Sequence, residues 1–177
     1  MSGFASSWLS VFRTTGWRIS RRGRGAELRG DLRVVPRDHL HITLAFLGHR
    51  PAGELPAIAK ALEAAAGLDG DYRLQPSGYR ETRSVGMVVL DDVGGAATAL
   101  AGDLHERLEA LGVYRREGRP WLPHITVARF RERPRLRPAA LTLRTDVLIP
   151  SDAAAYLSQL GPGGARYEVV TTVALGG

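Results

Sequence analysis

His41-Ile-Thr-Leu-Ala-Phe46 and His124-Ile-Thr-Val-Ala-Arg129 are two versions of one phrase, set 83 residues apart in a chain of 177. Five histidines and ten threonines would place about 0.3 His-x-Thr pairs in such a chain by chance. Two are present, and both share the central isoleucine, a following aliphatic residue and then alanine. An echo at nearly half the chain length points to two related lobes. In a strand, alternate side chains share a face. His41 and Thr43 therefore lie opposite Leu40, Ile42 and Leu44, and His124 and Thr126 lie opposite Ile125 and Val127. The apolar face of each strand packs on its lobe's helix. The polar faces are free to line a shared cleft.

Outward from the two motifs, the chain alternates strands and single helices. Leu40–Leu47 reads as a strand closed by Gly48 and Pro51. Leu55, Ile58, Ala59 and Leu62 recur on one helical face, with Pro56 in the first turn and Gly67 at the exit. Tyr72–Gln75 and Val85–Leu90 are strand candidates, separated by a turn at Pro76-Ser-Gly78. A second helix over Ala96–Leu111 carries the stripe Ala97, Leu100, Ala101, Leu104, Leu108 and Leu111, capped by Gly112. Strands follow at Ile125–Phe130, Leu141–Ile149 and Arg166–Leu175, with an Arg- and Pro-rich connector over Arg131–Pro138. The absence of regular βαβ spacing favours an α+β fold over a doubly wound sheet.

Composition narrows the function classes. Apolar residues make up 44% of the chain, enough for a real core. The absence of cysteine removes disulfides, cysteine-ligated zinc and thiol nucleophiles. No apolar run is long enough for a transmembrane helix. The net charge of +6 suits a polyanionic partner such as RNA, although nearly all the cations are arginine, as a GC-rich coding bias would also produce. Residues 1–26 form an atypical basic amino-terminal segment without acids, and residues 27–177 form a single bilobal domain. The segment has the composition of an organelle transit peptide, but a surface tail or a poor first strand around Leu9–Phe12 is the favoured reading.

Two imidazoles facing one cleft make a general acid–base pair, because one is neutral and the other protonated near neutral pH. Two threonine hydroxyls donate to the non-bridging oxygens of a tetrahedral anion. Together these groups suit phosphoryl chemistry without a metal. His39 and His41 form His-x-His, but a hydrolytic zinc site wants three protein ligands, and Asp38 is the only acid close by. No metal and no cofactor are expected. His49 and His105 stand outside the echo and are read as surface or structural residues.

Leu40-His-Ile-Thr-Leu-Ala-Phe-Leu-Gly48 and Pro123-His-Ile-Thr-Val-Ala-Arg129 resemble the paired motifs of the 2H (two-histidine) phosphoesterase superfamily. Within it they look most like the bacterial and archaeal RNA 2',3'-cyclic phosphodiesterase, or 2'-5' RNA ligase, branch. The resemblance runs from about Asp31 to the carboxyl end. It implies two pseudo-symmetric lobes, each an antiparallel sheet with outer helices, around a central groove. It implies metal-free hydrolysis of RNA 2',3'-cyclic phosphate ends to 2'-phosphate, with ATP-independent 2'-5' joining as the reverse reaction. It assigns His41 as proton donor, His124 as proton acceptor, and Thr43 and Thr126 to the phosphate, and it brings Arg129, which closes the second motif, into the substrate-binding site. Strict alternation puts Arg129 on the face opposite His124, so that last assignment requires a bulge or twist. The family opens with a clean apolar strand. A damaged one here would expose a sheet edge.

The expected partners are RNA ends or nucleotide cyclic phosphates, met by a cytoplasmic monomer with no membrane association. Trp121 is the candidate to stack a terminal base, whereas Phe46 falls on the apolar face and is expected in the core. Arg129, Arg131, Arg133, Arg135 and Arg137 would form a one-sided basic ribbon if extended. A second enzymatic reading keeps the groove and takes small nucleotide cyclic phosphates or 2'-5' oligonucleotides. A third is a non-catalytic RNA-binding protein, which would have no need of both histidines and both threonines.

Overall fold

The computed structural model describes residues 5–11, 32–130, 147–161 and 164–176, with the backbone alone for 5–11, 32, 158–161 and 164–167. Among the described residues, eight strands and two α-helices follow in the order β1 (Ala5–Val11), β2 (Leu32–Val34), β3 (Ile42–Arg50), α1 (Leu55–Ala66), β4 (Arg73–Glu81), β5 (Val85–Val93), α2 (Ala96–Ala110), β6 (His124–Phe130), β7 (Asp152–Gly161) and β8 (Gly164–Ala174). All strand pairs are antiparallel, in the order β4-β5-β6-β3-β1-β7-β8, with β2 also on β6. The α+β architecture divides into two lobes, β4-β5-β6 with β2 and β3-β1-β7-β8. Among the described residues they meet at one rung, Ile42 opposite Ile125. Beyond it β3 leaves β6, and β2 takes its place along Ala128–Phe130.

Both helices pack on the face of the sheet that carries Ile42 and Ile125, and against each other. In α2 the residues Ala97, Leu100, Ala101, Leu104 and Leu108 are fully buried, as their spacing requires. Burying each of these leucines stabilises the fold by about 1.5–3 kcal/mol. Leu111, the last residue of the expected stripe, is exposed because the helix ends at Ala110 and turns at Gly112, whose φ is 70°. Asp92, at the end of β5, caps α2 by accepting from the backbone N–H groups of Thr98 at 2.7 Å and Ala97 at 3.4 Å. In α1 the small residues Ala61, Ala65 and Ala66 are buried with Ile58 and Leu62. No helix among the described residues is long and apolar enough to cross a membrane.

The strands depart from the expected ones in four places. Pro76-Ser-Gly78 is not a turn: β4 runs through it to Glu81, with a register shift between Pro76 and Gly78. A bulge on an edge strand accommodates proline, which has no N–H to give to the ladder. The turn lies instead at Thr82–Ser84, where the Thr82 hydroxyl accepts from the amides of Ser84 and Val85. β7 had no counterpart in the sequence reading. Its Ala153-Ala154-Ala155 run has little strand propensity but lies buried in the sheet between β1 and β8. β1 occupies an interior position between β3 and β7, so the short first segment covers the β3 edge rather than exposing it. Of the expected strand Leu141–Ile149, residues 141–146 lie outside the described residues, and Leu148 makes an isolated bridge to Leu74. The basic ribbon from Arg131 to Arg137 also lies outside them.

Candidate active site

The Ile42–Ile125 rung fixes the geometry of the two motifs. Extending that antiparallel register by one residue each way sets His41 across from Thr126 and Thr43 across from His124. Ile42 and Ile125 are buried toward the helices, and the four polar residues, each half-buried, take the other face. Directly opposed residues hold their Cβ atoms about 4.5–5.5 Å apart, and diagonal ones are about 7–8 Å apart. The histidines form one diagonal and the threonines the other. Two hydroxyl donors and two imidazoles so arranged are the groups a tetrahedral anion would need around it.

The echo persists in the hydrogen bonds. His41 Nδ1 lies 2.8 Å from the carbonyl of His39, and His124 Nδ1 lies 2.8 Å from the carbonyl of Leu122. A carbonyl only accepts, so each Nδ1 carries the proton and donates. The neutral ring then has its lone pair on Nε2. Both imidazoles are set in the same tautomer by the backbone two residues upstream.

The histidines differ in their surroundings. Burial depresses the pKa of His41 below the ordinary imidazole value. The hydrogen bond to His39 opposes that, and the positive charges of Arg129, His124 and His39 add to the depression. The charges that act on His41 put Arg129, His124 and His39 in its electrostatic neighbourhood.

Arg129 reaches this face through the bulge that its assignment required. Between the pairs Gly86–Ala128 and Met87–Thr126, β5 advances one residue and β6 advances two. The extra residue, Val127, reverses the alternation. Val85, Met87 and Val89 share one face of β5 and pair with Arg129, Thr126 and His124. Arg129 is consequently exposed on the histidine side, and Ala128 and Phe130 are buried. Arg33 of β2 pairs directly with Arg129 and adds positive charge at that end.

β3 does the same. Val11 pairs with Ile42 and Leu9 with Ala45, so β3 carries an extra residue at Thr43–Leu44. Leu44 and Ala45 are both buried, and Phe46 turns out with 51% of its surface exposed. The expectation that Phe46 belongs to the core is therefore wrong: strict alternation does not survive the bulge. Phe46 and Arg129 are the sixth positions of the two motifs, and both lie on the histidine face. The signal was already in the echo, since an offset of 83 equates them.

Trp121 lies three residues before His124, half-buried against the core. Its indole N–H donates to the carbonyl of Thr43 at 3.0 Å. His105 is buried, 7% exposed, with Nε2 2.8 Å from the carbonyl of Leu44 and its ring against Tyr114. His49 is exposed on β3.

Known proteins share this fold and parts of this sequence. The curated "RNA 2',3'-cyclic phosphodiesterase" of Geobacillus stearothermophilus is 32% identical over 99 residues, covering 54% of this chain. The chain spans only 31% of that relative's length. The crystal structure of E. coli LigT complexed with 3'-AMP superposes with a TM-score of 0.74 at 19% identity, covering 99% of this chain and all of the other. A Thermus thermophilus protein superposes at 0.67 with 28% identity, covering 96% of this chain and 97% of the other. Residues 13–155 match the family described as the 2'-5' RNA ligase superfamily, and by that match, over most of its length and through both His-x-Thr strands, the chain belongs to that superfamily.

Proposed function

We propose that the groove opens RNA 2',3'-cyclic phosphate ends by metal-free two-histidine catalysis, leaving a 2'-phosphate and a free 3'-hydroxyl. The observation that carries this reading is the Ile42–Ile125 rung, which brings two imidazoles and two hydroxyls to one face. The activity in the Geobacillus relative's name points the same way.

In this reading the Thr43 and Thr126 hydroxyls donate to the non-bridging oxygens, and the Arg129 guanidinium balances their charge. His124 takes a proton from water at Nε2 as the water oxygen bonds to phosphorus. The bond from phosphorus to the 3'-oxygen breaks, and that oxygen takes the proton that His41 holds at Nε2. Each proton transfer contributes about 10²–10⁴-fold. In the protein alone, burial and the neighbouring cations disfavour the proton on His41. The anionic substrate opposes those cations and favours the proton that His41 must give, which couples binding to the acid's readiness. Phe46, exposed on the same face, offers its ring to the terminal base, a contact worth about 1–3 kcal/mol. Joining would follow the same course with the 5'-hydroxyl of a second strand in place of water: its oxygen bonds to phosphorus, the bond to the 3'-oxygen breaks, that oxygen takes the proton from His41, and a 2'-5' linkage results.

The test is to supply a cyclic-phosphate-ended oligoribonucleotide and follow ring opening in wild type, His41→Ala and His124→Ala. Turnover that both substitutions abolish supports the reading. Unaltered RNA binding with no turnover in any of the three would make the protein a binder.

A further inference from the structure

A β-bulge forfeits ladder hydrogen bonds at the residues it inserts, and the freed backbone groups must find other partners. In β3 the bulge lies at Thr43 and Leu44, between the histidine that faces the groove and the phenylalanine turned out beside it. Two side chains from elsewhere in the chain take its carbonyls. The Trp121 indole N–H donates to Thr43 at 3.0 Å, and the His105 ring meets Leu44 at 2.8 Å. Since a carbonyl only accepts, His105 donates from Nε2. In β6 the equivalent carbonyl, that of Val127, is taken by the backbone N–H of Val35 at 3.0 Å. The Val127 carbonyl is thus held by main chain, and its counterpart in the first motif, that of Leu44, by a side chain.

We propose that Trp121 and His105 are positioning residues for the substrate face of the first motif. Together they clamp the two bulge carbonyls, fix the Thr43 backbone that aims its hydroxyl, and hold the reversed alternation that presents Phe46 to the groove. Their locations suit the task. Trp121 belongs to the segment leading into the second motif, so its bond ties that segment to the first motif's strand. His105 rises from the buried stripe of α2, braced by the Tyr114 ring at 4.8 Å, so its nitrogen is fixed by the core. The proposal rests on the phosphodiesterase reading for its kinetic test, but the bulge itself has a readout independent of any substrate.

The variants are Trp121→Phe, which keeps an aromatic ring and removes the N–H, and His105→Leu, with His105→Gln as the conservative form whose amide can still donate. Amide hydrogen exchange over Thr43–Phe46 should accelerate in Trp121→Phe and His105→Leu and return toward wild type in His105→Gln. On a cyclic-phosphate-ended oligonucleotide, the first two variants should raise KM about tenfold, as a displaced binding group does. The base dependence should act through Phe46: in a Phe46→Ala background the same substitutions should cost distinctly less than tenfold. Purely structural residues would lower thermal stability and leave costs that add. Additive costs, or unchanged exchange over Thr43–Phe46, overturn the proposal. Should His105→Leu fail to fold, Trp121→Phe carries both measurements. If wild type opens no cyclic phosphate while the variants show the exchange pattern, the proposed activity is refuted and the clamp stands.

Discussion

Arg129→Gln separates the bulged reading of β6 from simple alternation. If β6 alternated regularly, residue 129 would face the helices, and removing its charge would not reach His41. With the bulge at Val127, Arg129 shares the face of His124 and Thr126, and its charge helps to disfavour protonation of His41. Two effects of the substitution follow. The first is loss of a charge-assisted contact with the phosphate, about 1.5–3 kcal/mol, which is about a 10- to 150-fold drop in kcat/KM. The second is a rise in the pKa of His41, toward but still below the ordinary imidazole value, because burial is the larger cause and remains. With His41 as the acid, kcat/KM falls as pH rises through its free-enzyme pKa, so the substitution shifts that limb to higher pH. The assays are NMR titration of the His41 ring and kcat/KM against pH on a cyclic-phosphate-ended oligonucleotide. Arg129 is exposed, so folding stability should change by no more than about 0.5 kcal/mol. A His41 titration that is unchanged or moves downward would refute the shared face.

Other perturbations have equally definite outcomes. His41→Ala and His124→Ala should each cost at least about 10²-fold in kcat, and the double variant much less than the product, as groups acting on one step do; multiplicative losses in stopped-flow or steady-state rates would contradict the pairing. Phe46→Ala should raise KM for base-bearing substrates by roughly 5- to 150-fold with little change in melting temperature; a large loss of stability with unchanged KM would return Phe46 to a structural role. Gly86→Ala should destabilise the fold by about 1–3 kcal/mol in urea titration, because the new methyl would collide with the Tyr79 hydroxyl; an unchanged midpoint would show that ring free to move. Partial burial, with the hydrogen bond to Glu81, pushes the Tyr79 phenol up to about 12, so ultraviolet titration should find it ionising well after an exposed tyrosine.

The elements legible in the sequence were those with strong local signals. α2 announced itself through an unbroken 3.6-residue stripe and its terminal glycine, and α1 through Pro56 and Gly67. The two motif strands were legible because they repeat, which is evidence of a different kind from propensity. β7 was not legible: an alanine run favours helix locally, and only its place in the sheet, among small buried residues, makes it a strand. Pro76-Ser-Gly78 carries turn chemistry that an edge-strand bulge satisfies equally well.

At the site, alternation located His41, Thr43, His124 and Thr126 on one face of their strands and then failed at the same point in both. A bulge is a question of register against a neighbouring strand, which a single strand's pattern does not contain. The consequence was opposite for the two sixth positions: Arg129 needed a bulge to join the site, and Phe46 was assigned to the core for want of one. The carbonyls of His39 and Leu122, which set the imidazole tautomers, are backbone atoms and leave no side-chain signature. Trp121 was singled out as a stacking residue; the structure shows its N–H committed to Thr43, an interaction across 78 residues of sequence.

The most direct measurement is ³¹P NMR of an oligoribonucleotide with a 2',3'-cyclic phosphate end, incubated with the protein and excess EDTA. The cyclic resonance should give way to a single 2'-phosphomonoester signal, at a rate that chelation does not change and that His124→Ala removes. A cyclic signal that persists until zinc or another divalent ion is restored would contradict hydrolysis by two imidazoles gripping one phosphorus.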